Sequence, residues 1–384
     1  MQNIYVDHAA TTPLAPEVLE EMTAIWQGPG GNPSSVHAFG RAAKQQLGRA
    51  RERLAALLHC SPSELVFTSG GTESDNAALA GAAWAQRKRG RDHIVTTTIE
   101  HHAVLHAVDR LEEQGFRVTR LAPDRSGRVS AEQAVEAMDE RTALVSVMYV
   151  NNETGSIQPL LPIGEAARAR GIPFHVDAVQ ALGRLPLPLG QLPVDLVSLS
   201  AHKINGPQGV GALYVAKGTP FEPQQYGGPQ ERNRRAGTEN VAGSSGFARA
   251  LELAEARREK KRERMAQLRS CLLEQLDGLI GSGAYVVNGG DPELVPDIIN
   301  LSFPGVSAES MLMNLDMAGI AASGGSACSS GALSRSHVLL AMGLPDEVSD
   351  SAVRFSFGLG NTIEEIEYAA QKIATIVQRI RTTA

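Results

Sequence analysis

The chain has 384 residues, of which 42% are hydrophobic and 20% charged, and its formal net charge is −6 at pH 7. This length allows roughly two domains with a sizeable core. The modest negative charge argues against direct binding to nucleic acid or to an anionic membrane. The start of the chain lacks a secretory signal, and no apolar stretch reaches the roughly 18 residues that span a bilayer. Three cysteines without a C-x-x-C pair indicate a reducing, cytoplasmic setting.

Strand and helix patterns alternate through the first two thirds of the chain. After a short strand and a polar turn up to Pro13, the predicted helices lie at 14–26, 36–59, 76–89, 103–114, 131–138 and 163–170. The predicted strands lie at 65–68, 94–98, 117–121, 143–150, 173–177, 196–200 and 211–215. Strands alternating with helices of about this length predict βαβ units and a mostly parallel sheet.

The last third of the chain predicts a smaller α+β domain. A glycine-rich, strand-poor segment at 227–246 precedes a long amphipathic helix at 247–279, whose run 257–264 interleaves glutamates with basic residues. This interleaving favours a solvated helix face over an RNA-binding site. Strand patterns at 298–303 and 353–357 flank a Gly/Ser-rich loop, and a final helix starts at Ile363.

Lys203 directly follows a predicted buried strand and begins a polar, glycine-rich turn. Ligand-binding groups collect at the carboxyl ends of parallel strands. A shielded amine at such a place can lose its proton and form a Schiff base with a carbonyl group. Capping of strand carbonyl groups by the same lysine is the alternative, and this stretch alone does not separate the two.

Two further groups belong to the same predicted sheet edge. The turn Ser69-Gly70-Gly71-Thr72 joins a strand to a helix N-terminus, which either binds an anion such as phosphate or is a simple N-cap. Asp177 ends a strand and precedes Lys203 by the length of one crossover helix and a strand, so both lie at one edge. A buried carboxylate needs a partner, and a protonated pyridine nitrogen would be one. Together these residues predict an enzyme that uses pyridoxal 5′-phosphate (PLP).

The chain resembles a cysteine desulfurase of the class V aminotransferase family over essentially its whole length. The motifs that carry this resemblance are, in chain order, Tyr5–Pro13, Gly31–Ser35, Ser69–Asn76, Glu100–Val104, Val150–Gly155, His175–Gln180, Ser200–Gly206, Arg235–Asn240 and Ser323–Cys328. The resemblance implies an α/β fold, the type I fold of PLP-dependent transferases. It also implies a large PLP domain at 14–255, a small domain from 1–13 and 256–384, and a homodimer.

The resemblance further implies a role for each matching residue. Lys203 would bind PLP covalently and move the substrate Cα proton, and Asp177 would bind the ring nitrogen. His101, rather than the adjacent His102, would stack on the ring as an acid–base group. The remaining cofactor-binding residues would be Gln180, Asn152, Gly71, Thr72, Ser200, His202 and, from the partner subunit, Thr238. Arg354, Asn152 and Asn32 would bind substrate, although a surface ion pair is an alternative for Arg354, and no metal site is implied.

Cys328 lies in a Gly/Ser-rich run. Cys60 and Cys271, in contrast, are predicted to be inert residues that fill the hydrophobic core. A mobile polar loop, at about 320–344, can bring a thiolate to a substrate sulfur and then carry it away. The resemblance implies that Cys328 attacks the sulfur of L-cysteine, leaving L-alanine and a persulfide. An iron–sulfur scaffold or a tRNA-thiolation enzyme (a thiouridylase) would then accept the sulfur.

Four other functions compete with this interpretation. An ordinary PLP aminotransferase shares the cofactor site but does not need Cys328, and the sequence does not exclude activity on selenocysteine. A nicotinamide-dependent oxidoreductase is contradicted by the glycines at 206–211, which lead into a strand rather than into a phosphate-binding helix. A non-enzymatic sulfur-relay protein would have no reason to place Lys203 beside Asp177.

Overall fold

The computed structural model of the protein describes residues 3–290, 293–324 and 335–383. Its strands are β1 (Ile4–Tyr5), β2 (Leu65–Thr68), β3 (His93–Thr97), β4 (Arg117–Leu121), β5 (Thr142–Ser146), β6 (Phe174–Asp177), β7 (Leu196–Ser200), β8 (Gly211–Val215), β9 (Val286–Asn288), β10 (Ile298–Ser302), β11 (Ile320–Ala321) and β12 (Ala352–Ser356). Its helices are α1 (Pro16–Trp26), α2 (Ala38–Leu57), α3 (Gly71–Arg87), α4 (His102–Glu113), α5 (Ala131–Ala137), α6 (Leu160–Ala169), α7 (Gln230–Asn233), α8 (Val241–Ile280), α9 (Ala308–Met317), α10 (His337–Ala341), α11 (Asp346–Ser349) and α12 (Ile363–Thr383).

The largest sheet has seven strands in the order β2-β8-β7-β6-β5-β3-β4. The pairs from β4 to β7 are parallel, whereas β8 is antiparallel to both β7 and β2. The connection from β7 to β8 is too short for the crossover helix that a parallel pair needs, so the chain turns back on itself. The prediction of a mostly parallel α/β sheet is therefore confirmed, with β8 as the exception.

Helices cover both faces of this sheet. One apolar cluster joins α3 and α4 to side chains such as Ile94, Leu144 and Leu196. The other face packs alternate residues of the same strands, such as Val95, Val145 and Val197, against α1, α2, α5, α6 and the start of α8. The carboxyl ends of β2, β3, β5, β6 and β7 thus meet at one edge between the two helical layers, where ligand sites of such sheets lie.

A second apolar core lies around the antiparallel sheet β9-β10-β12 and the parallel pair β1-β11. Ile4 and Val6 of the chain start pack there with α9, α12 and the last half of α8. The single helix α8 contributes Phe247 and Leu251 to the first core and Leu268 and Leu272 to the second. The predicted domain boundary at 255/256 falls within this helix, and the division into two domains stays a prediction.

Several predicted boundaries differ from those of the structure. The helix predicted from residue 76 begins at Gly71, and the strand predicted at 143–150 ends at Ser146. The segment predicted as a loop at about 320–344 contains β11 and α10, while Cys328 lies outside the described residues. In the described part of the chain, no helix is long and apolar enough to cross a membrane.

Candidate active site

A cavity of about 330 Å³ opens at the edge where the strands of the large sheet end. Its wall is formed by the segments that follow β2, β3, β5, β6 and β7, together with the chain start and β12. It brings together the predicted residues Gly71, Thr72, His101, Asn152, Asp177, Gln180, Ser200, His202, Lys203 and Arg354. These residues lie far apart in the sequence, and the convergence of strand ends places them around one space.

Lys203 lies in a 3-10 turn directly after β7. Its Nζ donates hydrogen bonds to the carbonyl oxygens of Ala9 and Ala10, at 2.6 and 2.7 Å. Burial lowers the pKa of Lys203 to about 7, and the positive charges of Arg354 and Arg184 lower it further. A substantial fraction of this amine is therefore unprotonated near neutral pH, which is the form that attacks a carbonyl group.

Asp177 is the last residue of β6 and is buried. Its Oδ1 accepts a hydrogen bond from the backbone N–H of Val179 at 2.9 Å. Burial raises the pKa of Asp177 to about 6, although the Val179 N–H and the charge of Lys203 oppose this shift. Nearby, Gln180 donates from Nε2 to the Ala9 carbonyl at 2.9 Å, while its buried Oε1 has no hydrogen-bond partner among the described residues.

One end of the cavity is formed where β2 turns into α3. Gly70 has a φ of 153°, and it precedes α3 without any side-chain cap on the helix N-terminus. A Cβ on Gly71 would lie 2.7 Å from Cγ2 of Val179, so glycine is needed for this close approach. The Ser200 hydroxyl is buried beside this turn and has no hydrogen-bond partner within the described chain. Free helix N–H groups and an unpartnered hydroxyl suit a phosphate group.

Two predicted histidines are neutral in this site. His101 caps α4, and its Nδ1 accepts the N–H of Ala103 at 3.1 Å, which leaves the ring proton on Nε2. Burial lowers the pKa of His101 to about 4, with Lys203 contributing. The Nδ1 of His202 lies 3.1 Å from the Thr11 hydroxyl, and burial followed by the charge of Lys203 lowers its pKa to about 4.

Arg354 reaches the cavity from β12 and forms an ion pair with Asp7 of the chain start. Its Nη1 donates to the Asn152 carbonyl at 2.9 Å. The Arg354 side chain is only 3% exposed, so the alternative of a surface ion pair is wrong. The guanidinium faces the cavity from a fixed position.

Several lining residues were not predicted from the sequence. His337 is the first residue of α10, and its ring centroid lies 4.7 Å from that of His102. Glu153 and Asp75 also line the cavity and are buried. Asp75 lies one helical turn after Thr72, so the helical period could have identified it. No local pattern marks His337, because only packing of distant segments brings it here.

Two predicted site residues lie outside this cavity, and a third lies outside the described residues. Thr238 is exposed and lies outside the cavity of its own chain. Asn32 is also exposed, and its Oδ1 accepts the N–H of Ser34 at 2.9 Å. Cys328 lies outside the described residues. No cluster of three or more metal-ligating side chains occurs in the described ranges.

Comparison with known proteins finds relatives that match nearly the whole chain. The class V aminotransferase family model matches residues 4–369. A curated relative from Bacillus subtilis (strain 168) is 47% identical over 99% of this chain and 100% of the relative. Cysteine desulfurase IscS of Dictyoglomus turgidum is 44% identical over 99% of this chain and 96% of its own length.

A solved structure titled NifS-like protein superposes with a TM-score of 0.92 at 38% identity, covering 98% of this chain and 100% of that one. A structure titled SspA in complex with cysteine has a TM-score of 0.81 at 35% identity, covering 92% of this chain and 98% of the other. Sequence and fold match over nearly the whole chain, and the chain therefore belongs to the class V aminotransferase family.

Proposed function

We propose that this protein is a cysteine desulfurase that uses PLP to remove sulfur from L-cysteine. The observation that carries the proposal is one cavity that holds the buried amine of Lys203, the buried carboxyl group of Asp177 and an uncapped helix N-terminus. These groups match the aldehyde, the pyridine nitrogen and the phosphate of PLP. The relatives named cysteine desulfurase supply the substrate class.

The atoms without partners support a fit to PLP. The hydroxyl of Ser200 and Oε1 of Gln180 are buried without hydrogen bonds to other described residues, which is costly unless a ligand binds them. We assign the phosphate to Gly71, Thr72, Ser200 and His202, and the ring to Asp177, Gln180, Asn152 and His101. Thr238 of a second copy would complete the phosphate contacts.

Bound PLP supplies an aldehyde that combines with amines and a ring that withdraws electrons from the substrate Cα. The chain supplies the remaining parts. The neutral amine of Lys203 takes up the proton that leaves Cα. The carboxylate of Asp177 stabilises positive charge on the ring nitrogen, and His101 offers the proton on its Nε2. Arg354 binds the substrate carboxylate, and we also assign Asn152 and Asn32 to substrate binding.

Cys328 would receive the sulfur. Its thiolate attacks Sγ of the substrate, the Cβ–Sγ bond breaks, and the products are L-alanine and a persulfide on Cys328. The position of the flanking residues supports this role. Ser323, which precedes Cys328 in the chain, exchanges backbone hydrogen bonds with Arg354 at 2.7 and 3.2 Å. His337, which follows Cys328 in the chain, lines the cavity.

We also propose a homodimer in which each copy completes the other's phosphate site. Exposed apolar side chains near the Asn32 and Thr238 segments support a covered surface there, with Tyr226 83%, Trp26 62% and Phe39 53% exposed. The domain division at 14–255 and at 1–13 with 256–384 belongs to this proposal. The sulfur would pass to an acceptor protein, either an iron–sulfur scaffold or a tRNA thiouridylase.

The full-length protein with PLP tests the proposal when it is incubated with L-cysteine. We expect absorbance from bound PLP at the edge of the visible range, and equal amounts of L-alanine and transferable sulfur. The Cys328→Ala variant should keep the absorbance and lose sulfur transfer, whereas the matched Cys271→Ala variant should keep both. A protein that takes up no PLP, or undiminished sulfur release by Cys328→Ala, would contradict the proposal.

A further inference from the structure

A second buried carboxyl group, that of Asp75, faces the same end of the cavity as Asp177. Asp75 lies on α3 and is 1% exposed, and it lines the cavity together with Asp177 and Lys203. Its Oδ1 has no hydrogen-bond partner among the described residues. The proposed function leaves Asp75 without a role, although burial of an ionised carboxylate is costly.

Strand alternation explains why the two carboxyl groups meet. Phe174 and Val176 of β6 pack into the core on the far face of the sheet, so His175 and Asp177 point to the face that α3 covers. Oδ1 of Asp75 lies 3.6 Å from Nε2 of His175. His175 and Asp177 share this strand face, and Asp75 and Asp177 line the same cavity, so the two carboxyl groups belong to one buried site.

His175 does not neutralise this carboxyl group. Its two ring nitrogens lie 2.9 and 3.0 Å from the hydroxyls of Ser146 and Ser198. Burial lowers the pKa of His175 to about 3, so the ring is uncharged. The other titratable groups that face the pair are Glu100, which is acidic and buried, and Lys203 on the Asp177 side.

We propose that Asp75 and Asp177 form a buried carboxyl pair: in the cofactor-free chain Asp75 keeps its proton, and Asp177 alone is ionised and available to the ring nitrogen of the cofactor. Asp75 is then a positioning residue that acts through Asp177. The proposal rests on the proposed function, because the ring nitrogen belongs to PLP. Two carboxylates at one buried site cannot both ionise easily.

The pKa shifts of the two carboxyl groups agree with this assignment. Burial raises the pKa of Asp75 well above its ordinary value, and the charges of Asp177 and Glu100 raise it further. A hydrogen bond from the Ser198 side chain opposes this rise. Asp177 is favoured as the ionised member, because the Val179 N–H and Lys203 both lower its pKa. A cationic ring that binds to Asp177 would lower the pKa of Asp75.

Calorimetric titration of the cofactor-free full chain with PLP, in buffers of different ionisation enthalpy, counts the protons exchanged on binding. Wild type should release more protons per chain than Asp75→Asn, by as much as about one, because the bound cationic ring lowers the pKa of Asp75. Ionisations of PLP are common to both proteins and cancel. The neutral Asp75→Ser should match Asp75→Asn, and Asp177→Asn should bind PLP about tenfold more weakly or worse. Equal proton release by wild type and Asp75→Asn would overturn the pair.

A measurement without cofactor separates this inference from the proposed function. Above about pH 4 the unfolded chain has released the Asp75 proton that the folded chain still holds, so stability falls as pH rises. The unfolding equilibrium constant of wild type should therefore rise about tenfold more per pH unit than that of Asp75→Asn. Equal slopes would refute the pair even in a protein that binds PLP. Failure to bind PLP with unequal slopes would refute the proposed function alone.

Discussion

Arg354, which is buried, forms an ion pair with the partly buried Asp7, in which Nη2 lies 2.8 Å from Oδ1. Since Nη1 is bound to the Asn152 carbonyl, only Nε of this guanidinium lacks a partner in the described chain. The chain start and β12 therefore hold the arginine in place before any substrate arrives. A substrate carboxylate that binds to this guanidinium, as we propose, would compete with Asp7.

Replacement of Arg354 by lysine tests its role as the carboxylate-binding group. Lysine keeps the charge but loses the planar fork that binds a carboxylate through two nitrogens. Loss of a charged hydrogen bond of about 1.5–3 kcal/mol corresponds to a rise of about tenfold or more in KM for L-cysteine. Steady-state L-alanine formation measures it. The matched Asp7→Asn removes the competing carboxylate, so its KM should fall; a rise as large as that of Arg354→Lys would contradict this role.

Lys203→Ala should retain PLP through the phosphate contacts and lose turnover. A positioned acid–base group contributes about 10²–10⁴-fold to rate, so L-alanine formation should fall by at least that factor. Bound PLP, measured after denaturation, is the control for an intact site. The exposed Lys88, whose side chain is 73% exposed, provides the matched Lys88→Ala variant, for which we expect unchanged activity. Full turnover by Lys203→Ala would contradict the assignment.

The lowered pKa of Lys203 predicts its chemical reactivity. Acetylation of the cofactor-free chain, followed by mass spectrometry of the Lys203 peptide, should show half-maximal reactivity near the pKa of about 7. A lysine model peptide should instead titrate near about 10.4. Between these two pKa values the unfolded chain still holds the Lys203 proton, whereas the folded chain has released it. The free energy of unfolding should therefore rise with pH across this range, and Lys203→Met should remove that rise. A Lys203 midpoint equal to that of the peptide would show that burial does not shift it.

The ion pair of Arg51 and Glu231 should contribute strongly to stability. Arg51 donates to both carboxylate oxygens of Glu231, at 2.8 and 2.5 Å, and the two side chains are 9% and 2% exposed. Within the short element α7, residues 231–233 have left-handed rather than α-helical φ values of 46°, 57° and 61°, and the ion pair connects this turn to α2.

Glu231→Gln leaves Arg51 buried without its counter-charge, so the free energy of unfolding should fall by about 3–5 kcal/mol. Chemical denaturation measures it. The exposed pair of Arg110 and Glu113 is the matched control, and Glu113→Gln should cost at most about 1 kcal/mol. An equal fall in the free energy of unfolding of the two variants would mean that burial of the Arg51–Glu231 pair does not increase its contribution to stability.

Much of the site was predictable because its chemistry follows strand ends. Lys203, Asp177 and the Gly71-Thr72 turn each stand where a strand pattern stops, and parallel strands bring such ends to one edge. His101 was chosen over His102 by family resemblance, and both line the cavity. The pair of Arg354 and Asp7 was missed, because it joins the first residues of the chain to its last strand.

By itself, the sequence determined which groups the chain carries: an amine and a carboxylate after predicted strands, a glycine turn before a helix, and a thiol in a Gly/Ser-rich run. Their types and periodicity are local properties, so a linear pattern reveals them. Tertiary structure decided their charge and partners: the pKa of Lys203 falls to about 7, and Asp75 comes to lie beside Asp177. Burial and distance depend on how segments far apart in the chain pack together, and no local pattern encodes that packing.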